Sequence, residues 1–247
     1  MTKRLLDRQA SLLEYLTSGP AIFGGDENAG RAGDCEGIDS RLLHLEARFS
    51  HEKRMEKIVA VFPRTFEILG DRRPAVVQEF AEACPPTDIS RLVNARQFHD
   101  FLSTRAKGDS EPPHLPDVAA CELACAKVRA AIDDQEAGTG MSKRSAKQQR
   151  GLIRRRPAVA LLHCAYDVRP IFERGSSVAS PEERDTALAV TMPEGSGDPK
   201  VFELMPIVCE LVAALDDWTD PRAFGDTPEV EDIFSGLIEH GLIEVGR

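Results

Sequence analysis

Residues 141–156, MSKRSAKQQRGLIRRR, carry seven positive charges and no acid, in a chain that otherwise holds 24 basic and 41 acidic residues. The preceding DDQEAGTG (133–140) has the glycine and small polar residues of a linker. The pattern on either side differs in period: helical spacing before, continuous apolar runs after. This predicts three parts: a helical bundle over 1–135, a basic linker over 136–156 and a second domain over 157–247. The linker reads first as a solvated connector, and alternatively as a strip that docks an acidic surface.

The N-terminal part reads as about five helices. Leu5, Leu6, Leu12, Leu13 and Leu16 recur at helical spacing until Gly19-Pro20 stops the run. Ile38, Leu42, Leu45, Phe49, Ile58, Val59 and Phe62 predict a long amphipathic helix broken at Pro63. Val76, Val77, Phe80 and Ala81 form the stripe of a helix ended by Cys84-Pro85-Pro86. Thr87 and Asp88 are placed to cap the next helix, which carries Ile89, Leu92, Phe98, Phe101 and Leu102. DVAACELACAKVRAAI completes the set, with small faces that permit close packing.

After the linker, AVALLHCAY and ALAVTMP read as strands, and VFELMPIVCELVAAL as a helix kinked at Pro206. EVEDIFSGLIEHGLIEVGR reads as a helix ended by Gly241, then a short strand over 242–245. Helix, turn, helix and strand in this order are the punctuation of a winged helix-turn-helix. The fold class expected is α+β, mainly α, with a helical bundle followed by a winged-helix-like domain.

Such a domain binds either DNA or peptide. The recognition-type helix carries Glu229, Glu231, Asp232 and Glu239 but no Lys or Arg, so groove phosphates would repel it. The net charge of −10 agrees with that exclusion. A small sheet beside helices instead offers an edge to which an extended peptide adds a strand. Leu188, Ala189, Val190 and Thr191 are the expected strand of addition, with pockets from Val201, Phe202 and Met205. The same residues would also serve as ordinary core, since core and groove share apolar composition. A winged-helix transcription regulator stands as the alternative.

No catalytic constellation is evident: no G-x-S-x-G elbow, P-loop, dinucleotide fingerprint or H-E-x-x-H. The six cysteines, Cys35, Cys84, Cys121, Cys125, Cys164 and Cys209, are scattered and read as reduced, small hydrophobes. Cys121 and Cys125 share a helix face, but no second pair completes a zinc set. His44 and His51 lie two turns apart on a helix whose intervening charges favour a solvated face. The chain is therefore expected to be non-catalytic, without a metal or cofactor of its own; an enzyme built on these Cys and His residues is the least favoured reading. No apolar run approaches a membrane span. The charged N-terminus lacks signal-peptide features, which gives a cytoplasmic expectation.

The N-terminal part resembles a known family. LLHLEARFSHEKRMEKIVAVFPRTFEILG, VVQEFAEACPPTDISRLVNARQFHDFL and HLPDVAACELA are similar to a helical domain catalogued as DNA-binding. The likeness rests on Phe62-Pro63, Leu69-Gly70, the Pro-Thr loop, Phe101-Leu102, Leu115-Pro116-Asp117 and Glu122-Leu123-Ala124, over roughly residues 5–132. Members are partner proteins of multinuclear non-heme iron oxidative (MNIO) enzymes, which modify cysteine or other residues of ribosomally made precursor peptides. The two-part build resembles the TglI-like partner of 3-thiaglutamate biosynthesis more than the shorter methanobactin partner. The resemblance implies a heterodimer with a TIM-barrel iron enzyme, and a C-terminal half like a RiPP recognition element that holds the precursor's leader. It further implies that the iron sits in the partner, and that the modified residue is a C-terminal cysteine whose β-carbon is excised in the 3-thiaglutamate case. The insertion over 23–37 and the basic linker are not parts of the family pattern.

Overall fold

A computed structural model describes residues 5–24, 39–105, 111–137, 149–174, 180–193 and 197–246. The chain is mainly helical, its strands among the described residues all lie in the C-terminal half, and it divides into two compact units, Met1–Pro116 and Asp117–Arg247. Residues 25–37 of the insertion and residues 138–148 of the linker lie outside the described residues.

The first unit holds helices α1 (Leu5–Leu16), α2 (Gly19–Phe23), α3 (Ser40–Val59), α4 (Pro63–Leu69), α5 (Arg73–Ala83) and α6 (Arg91–Arg105). Gly19-Pro20 does end α1, but Ser18 then caps α2, its hydroxyl accepting from the Ala21 amide with Pro20 in the first turn. Its centre is aromatic. Phe98 stacks on Phe66 at 5.1 Å, meets Phe80 edge-on at 5.1 Å and Phe62 at 5.4 Å, and Phe62, Phe80 and Phe98 are fully buried. Gly70, at φ +50°, turns the chain out of α4 into a 3-10 turn over Gly70–Arg72, a conformation disfavoured for side-chain-bearing residues.

The leucine run forms α1 as expected; none of its residues is fully buried, Leu5, Leu6 and Leu13 are exposed, and Leu16 packs against Ala21, Ile22, Ala47 and Ala81. In α3 the expected stripe holds at its end, where Ile58 and the following Phe62 are buried, but not in its first half, and His51 is buried rather than solvated. Leu42, Leu45 and Phe49 face solvent, while Leu43, Ala47, His51, Arg54, Met55 and Ile58 are buried. Polar residues occupy inward positions because each finds a partner. His51 packs edge-on against Phe23 at 5.4 Å, and burial, with Arg54 adding, pushes its pKa down.

The second unit begins with α7 (Leu115–Ala137), a helix that the sequence grouped with the N-terminal bundle. Next come β1 (Ile153–Arg155), β2 (Val159–Tyr166), α8 (Arg169–Arg174), β3 (Glu183–Thr191), β4 (Lys200–Leu204), α9 (Pro206–Ala214), α10 (Pro228–Glu239) and β5 (Ile243–Val245). β2, β3 and β4 form an antiparallel sheet in that order, and β1 pairs separately with β5. Ala124 and Val128 of α7 pack with Ala158 and Val190, together with Ala160, Leu162 and Val201. Ala189 belongs to a second cluster with Val212 and Leu215 of α9 and its end and Phe234 and Leu237 of α10. The sheet is thus covered on both faces, which explains the unbroken apolar run of β3.

The end of the expected linker is a strand. Residues 153–155 pair with β5, and their cations are taken by carboxylates: Arg154 bonds Glu244 at 2.7 Å and Arg155 pairs with Asp216. Arg154 also lies 4.6 Å over the Trp218 ring. VFEL is strand β4 rather than helix, and Pro206 opens α9 in its first turn, where its missing N–H costs nothing. No described helix is long and apolar enough to cross a membrane.

Candidate functional site

β3 is the central strand. Leu188 lies between Leu162 and Glu203, Ala189 between Leu161 and Phe202, Val190 between Ala160 and Val201, and Thr191 between Val159 and Lys200. Leu188, Ala189 and Val190 are 0% exposed, and the Thr191 hydroxyl donates to the Gly241 carbonyl at 3.0 Å. A strand with a neighbour on each side has no edge to offer, so peptide addition along Leu188, Ala189, Val190 and Thr191 is corrected: these residues are core.

The other three expected residues lie on or beside an edge. Val201 and Phe202 belong to β4, which pairs with β3 alone among the described residues. Both are half-buried. Met205, 64% exposed, occupies the cap position of α9, and Ile207 beside it is 69% exposed. Phe202 projects to the face shared with α10, its ring 5.3 Å from that of His240. The edge of β4 therefore runs beside Phe202 with the His240 ring, and beside the exposed Met205 and Ile207 at the start of α9. At the opposite side of the sheet, the Tyr166 amide of β2 donates to Asp117 Oδ2 at 2.9 Å, and burial pushes the Asp117 pKa up.

Gly236 stands in the last turn of α10, three residues after Ile233 and four before His240, so all three share one stripe. A methyl group there would touch nothing within 4 Å. Glycine in a helix interior costs roughly 1 kcal/mol relative to alanine, and the packing within this chain gives no reason for it. It leaves a shallow notch on the stripe that meets Phe202 through His240.

Charge fixes the far end of β4. Arg184 donates to Glu203 Oε1 at 2.6 Å and to Asp167 Oδ2 at 2.9 Å. Arg169 donates to both Asp167 oxygens, at 2.8 and 2.7 Å, and pairs with Glu203 at 2.5 Å. Two guanidiniums against two carboxylates hold Glu203, and with it the edge strand, in one position. The Arg169 hydrogen bonds hold the Asp167 carboxyl down at about 2, and the Arg184 bonds lower Glu203 as well. Sequence reading missed this set because its members are spread from 167 to 203.

Three of the thiols lie on α7 and β2 rather than on β4. Cys121 and Cys164 are buried, and Cys121 is raised by its hydrogen bond to Cys164 and by burial. Burial pushes Cys125 up to about 11. Cys35 lies outside the described residues. Among those described, no group of three or more His, Cys, Asp or Glu side chains is placed to hold a metal ion. Asp216, Asp217 and Asp220 serve the turn instead: Asp217 accepts from the Trp218 amide at 2.7 Å and Asp220 from the Arg222 amide at 3.0 Å. No protein-family model matches the chain, and no curated protein matches it significantly.

Proposed function

We propose that this chain is a non-catalytic accessory subunit of an MNIO-type iron enzyme, and that its C-terminal unit holds the leader of a ribosomally made precursor peptide. The observation that carries the reading is the open edge of β4, flanked by Val201, Phe202, Met205 and Ile207 and bordered by α10. Main-chain hydrogen bonds along β4 would supply register and direction, and the flanking apolar side chains would supply selectivity. The layout of strands and helices is read here as winged-helix-like, in the manner of a RiPP recognition element.

The accessory role follows from the resemblance of the N-terminal helices to MNIO partner proteins. The iron and the oxidative chemistry belong to the barrel enzyme, and this chain contributes binding. Tethering the leader raises the effective concentration of the reactive residue at the iron without new chemistry. By the same resemblance the modified residue is a cysteine near the peptide's C-terminus, in the manner of β-carbon excision. The acidic face of α10, with Glu229, Glu231, Asp232 and Glu239, argues for peptide over DNA.

Co-purification of the untagged chain with a tagged MNIO barrel enzyme, followed by iron analysis of each component, tests this. A stable complex with iron in the enzyme alone is the expected result. Absence of a complex, or iron bound by this chain alone, would overturn it.

A further inference from the structure

Arg154, Arg155 and Arg156 follow one another along β1 and its end, and the third stands in a different setting from the first two. Arg154 bonds Glu244 and Arg155 pairs with Asp216. Arg156 is partly buried, and its backbone amide donates to the Leu242 carbonyl at 3.1 Å. Its guanidinium meets no carboxylate among the described residues. Partial burial strips water from a cation, and a carboxylate is the usual replacement.

A glycine sets where this guanidinium lies. Gly241, at φ +70°, follows α10, and a Cβ there would stand 3.1 Å from Arg156 Nη1 and 3.9 Å from Thr191 Oγ1. Arg156 thus rests against bare backbone beside the last residue of β3. The Gly241 carbonyl is already taken by the Thr191 hydroxyl.

Lys200 is the residue opposite Thr191 in the β3–β4 register, so its side chain leaves the sheet on the same face. It is exposed, and no carboxylate pairs with it among the described residues. Phe202, two residues on, shares that face, with the His240 ring beside it. Asp198, just before β4, is held by Arg129 of α7 at 2.8 Å. The two ends of β4 therefore differ in charge. At Glu203 two arginines are matched by two carboxylates. At Lys200 two cations have none.

We infer that Arg156 and Lys200 form a carboxylate subsite at the start of β4, which takes an Asp or Glu side chain of the peptide laid along that edge. The inference rests on the reading of β4 as a peptide-binding edge. Side chains alternate along an added strand, so the acidic residue stands two positions from the apolar residue that faces Phe202. The matched carboxylates at the Glu203 end leave no such demand there, so the acid also sets which way the peptide runs.

The test selects a phage-displayed library of random peptides on wild type, Lys200→Glu, Arg156→Gln and Phe202→Ala. Wild type should enrich Asp or Glu two positions from an apolar residue, and Lys200→Glu should enrich Lys or Arg there instead. A synthetic peptide selected on wild type should bind Lys200→Glu and Arg156→Gln about tenfold more weakly, with melting temperatures unchanged. Replacing its acid by Lys should restore binding to Lys200→Glu. Peptides that need Phe202 but show no acidic preference, or that bind Lys200→Glu as tightly as wild type, would overturn the subsite and leave the peptide edge standing. Wild type that enriches no peptide, or only peptides indifferent to Phe202→Ala, would overturn both.

Discussion

The ring of Phe202, on the edge strand of the C-terminal sheet, lies 5.3 Å from the imidazole of His240, the residue that ends α10. The contact joins an edge strand to a helix whose next turn inward is Gly236, and so defines where a chain laid along β4 would run.

Substitution separates the edge from the core. Phe202→Ala should reduce peptide affinity about tenfold with little loss of stability, because the ring is half-buried at the rim. Leu188→Ala, at a fully buried central position, should cost about 2–5 kcal/mol of stability. Fluorescence anisotropy of a labelled leader and urea denaturation would read the two effects. A loss of affinity at full stability in Leu188→Ala would return the site to β3.

The aromatic centre of the first unit makes a second prediction. Phe98 touches Phe62, Phe66 and Phe80 and is 0% exposed. Phe98→Ala should destabilise that unit by about 3–5 kcal/mol. Truncating the more exposed Phe49, by contrast, should cost well under about 1 kcal/mol. Chemical denaturation of both variants checks the ranking, which is the reverse of what a core-facing Phe49 would give.

These contrasts mark what the sequence could convey. Helices and strands announce themselves by period, and ALAVT was legible as a strand. Its lack of alternation is the sign of burial on both faces, which marks a central strand rather than an edge. VFEL was hidden because VFELMPIVCELVAAL also satisfies helical spacing, with Pro206 read as a kink rather than a first-turn residue. Strand β1 was masked by its arginines, since charge alone says nothing of the carboxylates that meet them. Arg54 sat unnoticed in the charged run HEKRMEK; its partners lie 30 to 43 residues away.

The acidic limb of the stability profile should depend on Asp167. Its folded pKa, about 2, lies below the ordinary 3.8. The contribution is therefore full above about pH 4 and is lost as pH falls toward 2. Asp167→Asn should flatten the fall in melting temperature between pH 4 and pH 2. An unchanged slope would mean the two arginines do not hold this carboxylate in solution.

Thiol reactivity gives a fourth check. Cys121 and Cys164 are buried, and the raised pKa of Cys121 leaves it protonated at neutral pH. Iodoacetamide at pH 7.5 should modify neither residue in the folded chain and both in denaturant, with peptide mass analysis locating the adducts. Rapid labelling of Cys121 in the native chain would contradict the packing of α7 described here.

The most direct measurement of the central claim is hydrogen–deuterium exchange of the full chain, with and without the precursor peptide that the proposed reading assigns to it. Strand addition predicts slower exchange over Lys200–Leu204 and on the α10 stripe around Gly236, with β3 already protected and unchanged. Peptide binding that leaves β4 unprotected, or no binding at all, would contradict the account.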